Sequence, residues 1–131
     1  MNEKVQYWVD IAEYDMETAK VMLEGKRFLY VGFMCQQVIE KILKGQYVFT
    51  KKGNPPYTHN LTYLAMQCGI YENMPEVYKD VIDMLEPLNV EARYPTHKEK
   101  LMRTLNYERC KEIVQKTEVL YQWIKKKLSN G

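Results

Sequence analysis

The stretch from Phe33 to Lys44, Phe-Met-Cys-Gln-Gln-Val-Ile-Glu-Lys-Ile-Leu-Lys, carries the period of an α-helix on two sides at once. Gln36, Gln37, Glu40, Lys41 and Lys44 recur at spacings of three and four, which puts them on neighbouring faces of one cylinder. Val31, Cys35, Val38 and Ile42 form the opposing apolar stripe, broadened by Ile39 and Leu43. Nowhere does the chain show sustained two-residue alternation bounded by turn signals, so no sheet is expected.

The same period organises the rest of the chain. Val5, Trp8, Ala12, Met16, Ala19, Met22 and Leu23 predict a first helix from Glu3 to Leu23, with Asn2 as N-cap and Gly25 near its end. Asp15 falls towards the apolar side of that helix, where a carboxylate needs a partner on a neighbouring helix. A second helix is predicted from Leu29 to Phe49. Lys51-Lys-Gly-Asn-Pro-Pro56 then breaks the pattern. Thr58 is a suitable N-cap for a short helix from Asn60 to Gln67, ending at Gly69. Pro75 suits the first turn of a fourth helix, whose inner face would be Val77, Val81, Met84, Leu85 and Leu88, with Pro87 ending or kinking it. Asn89 to Arg103 reads as irregular or only partly helical. A last helix begins near Thr104 or Asn106 and reaches Leu128, with Cys110, Ile113, Val114, Thr117, Leu120, Tyr121 and Ile124 inside. Lys125, Lys126 and Lys127 in its last turn would complement the helix dipole. The expected fold is all-α: an up-and-down bundle of four main helices plus a short one, in a single domain spanning residues 1–131.

Composition narrows the function classes. A net charge of +2 is too mild to announce a nucleic-acid binder, though a local patch could still serve. Cys35, Cys68 and Cys110 are odd in number and far apart, as expected of reduced thiols in a cytoplasmic protein. No stretch approaches the roughly 18 apolar residues of a membrane span, and no membrane role is expected. There is no phosphate-binding Gly-x-x-x-x-Gly-Lys-Ser/Thr loop and no His/Cys/Asp/Glu run at metal-ligand spacing, so neither a cofactor nor a metal is expected. Eleven tyrosines are many for 131 residues; they suit half-buried surfaces and interfaces.

Four segments occur in an order that resembles the HEPN domain family. They are Trp8-Val-Asp-Ile-Ala-Glu-Tyr-Asp15 with Leu23-Glu-Gly25, then Gln36 to Lys44, then Pro56-Tyr-Thr-His-Asn-Leu61, then Ala92-Arg-Tyr-Pro95. The resemblance spans nearly the whole chain. It implies a helical bundle that pairs as a homodimer and partners a minimal nucleotidyltransferase in a toxin–antitoxin-like system. Many members are metal-independent ribonucleases marked by an arginine and a histidine separated by four to six residues. Here Arg93 is followed by His97 with only three residues between them, so the signature is absent as usually written.

Arg93 and His97 are nevertheless the candidate catalytic pair. Histidine, with an ordinary pKa of about 6.5, can deprotonate a ribose 2′-hydroxyl, and an arginine fork matches phosphate oxygens. A helical path would separate the two Cα atoms by about 6 Å and an extended one by about 13 Å. The competing reading pairs Arg93 with Glu40 or Asp15 and leaves His97 as a solvated loop residue. Gln37, Glu40, Lys41, Lys44, His59, Arg93 and Tyr94 are the candidate nucleotide- or RNA-binding residues. The polar face of the second helix would otherwise simply be solvated. His59 could fix its turn through backbone hydrogen bonds, or meet a phosphate where the next helix offers free N–H groups. Tyr94 is a candidate acceptor for covalent modification by the partner. Three functions follow: a nucleotide- or RNA-binding module, a ribonuclease toxin built on Arg93 and His97, and a pure protein-interaction module.

Overall fold

A computed structural model describes residues 1–90 and 95–129. The helices are α1 (Glu3–Glu24), α2 (Phe28–Lys51), α3 (Leu61–Gln67), α4 (Glu76–Leu85), α5 (Pro95–Thr104) and α6 (Tyr107–Ser129), with a 3-10 turn at Glu86–Leu88 after α4. No strand occurs among the described residues.

Local chemistry explains most boundaries. The Asn2 side chain accepts from Val5 N–H at 2.9 Å and starts α1. The turn at Gly25 and Lys26 sends the chain straight into α2, so the first two helices lie antiparallel. α2 ends when Lys52 enters the left-handed region at φ 61°. The cap of α3 is Asn60, which accepts from Tyr63 N–H at 2.9 Å. Thr58, expected in that role, instead accepts from Asn60 N–H at 3.2 Å and so tightens the turn one step earlier. Gly69 follows α3 at φ 81°, a conformation that favours glycine. Asn106 caps α6 by accepting from Arg109 N–H at 2.8 Å.

α1, α2 and α6 form the body of the bundle. Glu13 on α1 meets Lys125 on α6, and Lys20 meets Glu118, so residue order on the two helices runs in opposite directions. Lys125 therefore serves as a strut between helices, and Lys126 and Lys127 occupy the last turn. All seven inner positions expected for α6 are buried. At two places a neighbouring residue packs closely against a glycine of α2. A Cβ on Gly45 would stand 3.2 Å from the Trp8 Cβ, and one on Gly32 would stand 3.2 Å from a Leu88 methyl.

One inner position changes. Val77 is 62% exposed; α4 buries Val81, Ile82 and Leu85 instead. Val77 lines an open apolar groove between α4 and α6 with Val81, Met84 and Val119. The segment expected to be irregular or only partly helical holds a ten-residue helix, α5, which buries none of its residues. The three cysteines are buried and free, and burial pushes their thiols up to about 12 for Cys35 and about 11 for Cys68 and Cys110.

Candidate functional site

The polar face of α2 is not a solvated surface. Gln36 is fully buried and Glu40 and Lys44 nearly so, because α1 and α3 flank the helix on the sides its apolar stripe leaves uncovered. A buried polar side chain needs partners, and these side chains partner one another. Gln36 donates to the His59 carbonyl at 3.2 Å. Gln37 donates to Gln36 Oε1 at 2.7 Å, and Lys41 donates to Gln37 Oε1 at 2.6 Å. Lys44 donates to Glu40 Oε2 at 3.1 Å, with Lys41 at 3.9 Å from the same oxygen.

Glu40 is the centre of this network. Its second oxygen, Oε1, lies 2.8 Å from His59 Nδ1. Burial alone would raise the Glu40 carboxyl, but the His59 hydrogen bond and the Lys44 and Lys41 ammoniums outweigh it and hold the carboxyl below its ordinary value. An ionised carboxylate only accepts, so Nδ1 carries the proton and His59 is fixed in tautomer and orientation. Nε2 has no partner among the described residues, and the side chain is 52% exposed. Asp15 on α1 is half-buried nearby with no hydrogen bond among the described residues; burial raises its carboxyl, against the pull of Lys41 and with the push of Glu40.

His59 thus acts through its ring on Glu40 rather than on backbone groups. Nor does α3 offer a free anion site beside it. The Glu86 carboxylate accepts from Leu61 and Thr62 N–H at 2.6 and 3.2 Å, and Asn60 takes Tyr63 N–H. Neither the network at Glu40 nor the Glu86 cap was foreseen. Nothing in the local sequence marked Glu40, which stands between Ile39 and Lys41. Nor did anything mark Glu86, because it reaches across 25 residues of sequence to its partner.

The turn at Glu86–Pro87 also fixes the second histidine. His97 lies in the first turns of α5, half-buried, and its Nε2 donates to the Pro87 carbonyl at 2.8 Å. It is not a solvated loop residue. The bond assigns the proton to Nε2 and leaves Nδ1 without a partner among the described residues. His59 and His97 are therefore tied to adjacent residues, one through the start of α3 and the other directly. Arg93 and Tyr94, and with them the expected pairing of Arg93, lie outside the described residues. No group of three His, Cys, Asp or Glu side chains among the described residues could hold a metal ion. No described helix is long and apolar enough to cross a membrane.

With the site in view, comparison with known proteins decides the family: the model of the HEPN domain matches residues 5–128. The chain belongs to the HEPN domain family. Two solved structures share the HEPN fold seen here. TT1696 from Thermus thermophilus superposes with a TM-score of 0.80 at 18% identity, over 96% of this chain and 99% of that one. ST0689, an archaeal HEPN homologue, gives a TM-score of 0.74 at 20% identity, over 98% and 99%. No curated protein matches the chain.

Proposed function

We propose that this HEPN protein is a nucleotide- or RNA-binding module that works as a homodimer beside a minimal nucleotidyltransferase, in a toxin–antitoxin-like pair. The observation that carries the binding reading is the His59 imidazole, anchored by a buried carboxylate and open to solvent at Nε2. A fixed, half-exposed imidazole beside the wholly exposed Tyr57 ring suits a phosphate at Nε2 and a base on the tyrosine face. Lys41, 19% exposed at its side chain, adds a cation at the edge. Lys44 and Glu40 take the supporting role of holding the histidine. Co-expression with a neighbouring nucleotidyltransferase, followed by pull-down, tests the partnership.

Fluorescence anisotropy of a labelled single-stranded RNA tests the binding. The expected result is saturable binding that weakens with salt and falls roughly tenfold, about one good charged contact, in His59→Ala. No binding by the parent protein at low salt would overturn the reading.

One observation favours a second reading, metal-free RNA cleavage. The Pro87 carbonyl holds the His97 proton on Nε2, so Nδ1 is the basic nitrogen of the neutral ring, as a general base requires. Arg93 would supply the cation for the phosphate. Cleavage of RNA in EDTA by the parent, lost in His97→Ala, is the expected result of that reading; intact RNA in both would discard it.

A further inference from the structure

A second group of rings and cations lies at the opposite end of the α1–α2 pair from the Gly25 turn. Tyr7 and Trp8 sit edge to face, with ring centres 5.3 Å apart and planes at 81°. They border a cleft of about 250 Å³ that also takes in Lys4, Lys52, Asn54 and Pro55. Lys4 and Lys52 are exposed, and neither makes an ion pair or hydrogen bond through its side chain among the described residues. Lys52 owes its place to the left-handed turn that ends α2, since the reversal brings its side chain back to the start of α1. Among the described residues no carboxylate lines the cleft itself, and Glu3 borders an adjoining hollow with the two lysines, so the cleft carries an excess of positive charge.

The cleft is not isolated from the His59 cluster. The Lys44 ammonium lies 5.8 Å from the Trp8 ring centre and 6.0 Å from the Tyr57 ring centre. Buried and committed to Glu40, Lys44 is not free for phosphate. It lies within reach of both aromatic rings and so links the two surfaces. Aromatic faces interleaved with unpaired lysines are the arrangement that binds a single strand, with bases on the rings and backbone on the cations. The cleft volume is below that of a pocket enclosing a whole cofactor and suits one base and its phosphate.

We propose that the Lys4–Tyr7–Trp8–Lys52 cleft is a second contact for single-stranded RNA, taking one nucleotide with its base against Trp8 and Tyr7 and its phosphate between Lys4 and Lys52. The proposal rests on the RNA-binding reading and extends the bound strand from Tyr57 and His59 to the start of α1.

Trp8 reports on its own site once the other tryptophan is removed. In Trp123→Phe, a short uridine-rich oligonucleotide should quench the remaining emission, with a midpoint that matches anisotropy of the labelled strand. Lys4→Ala combined with Lys52→Ala, both at exposed positions, should weaken that quench and the affinity by roughly tenfold at low salt and flatten the salt dependence. AMP, carrying one base and one phosphate, should quench only at far higher concentration. If AMP saturates the site as tightly as the strand does, the ligand is a free mononucleotide and the proposal is overturned. If the oligonucleotide binds by anisotropy, is weakened by His59→Ala, and neither quenches Trp8 nor responds to the lysine substitutions, the cleft is not a contact and the His59 reading stands alone. Absence of binding by anisotropy removes both.

Discussion

Glu40 is 2% exposed and has a hydrogen bond or ion pair on both oxygens, and its removal would strand Lys44 in a nearly closed site. Deleting one partner of a buried ionic group is far more costly than deleting a surface charge. Glu40→Ala is expected to lose roughly 3–5 kcal/mol in urea unfolding, and a loss below about 1 kcal/mol, the range of a surface pair, would show that the network is loosely held. Acid tests the same residue. Its carboxyl is held low in the folded protein, so its stabilisation is complete above the ordinary carboxylate range and fades as pH falls through the depressed value. Asp15 has the opposite sign: its raised carboxyl costs stability at neutral pH, and that cost vanishes on protonation. The acid limb of the parent should therefore be shallower in Glu40→Ala, which lacks the favourable group and keeps the unfavourable one. At this scale the sequence was a poor guide. Gln36, Glu40 and Lys44 carry the residue types of a wet surface, and only contacts from α1 and α3 bury them.

Elements were more legible. The seven inner positions expected for α6 followed from its 3.6-residue period, and Asn2 was legible as the cap of α1 from its residue type. α4 differed at Val77 because two solutions for its buried face share Val81 and Leu85, and packing chose Ile82 for the rest. α5 was only partly legible, for another reason. It has no apolar stripe to bury, and Pro95, a helix breaker inside a run, stands here at a helix start, where its missing N–H costs nothing. A helix with no buried residue is held mainly by its own hydrogen bonds and a few edge contacts. Amide hydrogens of α5 should exchange at least tenfold faster than those in the middle of α2, and equal protection would mean that something covers α5. The close seam between α1 and α2 gives the contrary case. In Gly45→Val the new side chain would press on Trp8 where the Cβ alone already stands at 3.2 Å. The expected cost is about 1–3 kcal/mol, as for other overpacked cores, measured by thermal unfolding.

Across the whole molecule, the family and the all-α architecture could be read because four separated segments kept their order. The candidate site could be read only in outline, because the division of its residues into supporting and exposed side chains depends on long-range contacts. The three thiols show how far the common core extends, since Cys35 is on α2, Cys68 follows α3 and Cys110 opens α6, and each is at most 3% exposed. Thiolates are the reactive form, and burial suppresses them here. A disulfide-exchange reagent at pH 7.5 should find almost no fast thiol in the folded protein and three after unfolding in urea. The native chain would then be silent to maleimide dyes and spin labels. A single cysteine introduced on an open surface, at Tyr14 or Val21 for instance, would be the one site such a probe reports from, with no need to remove the others first.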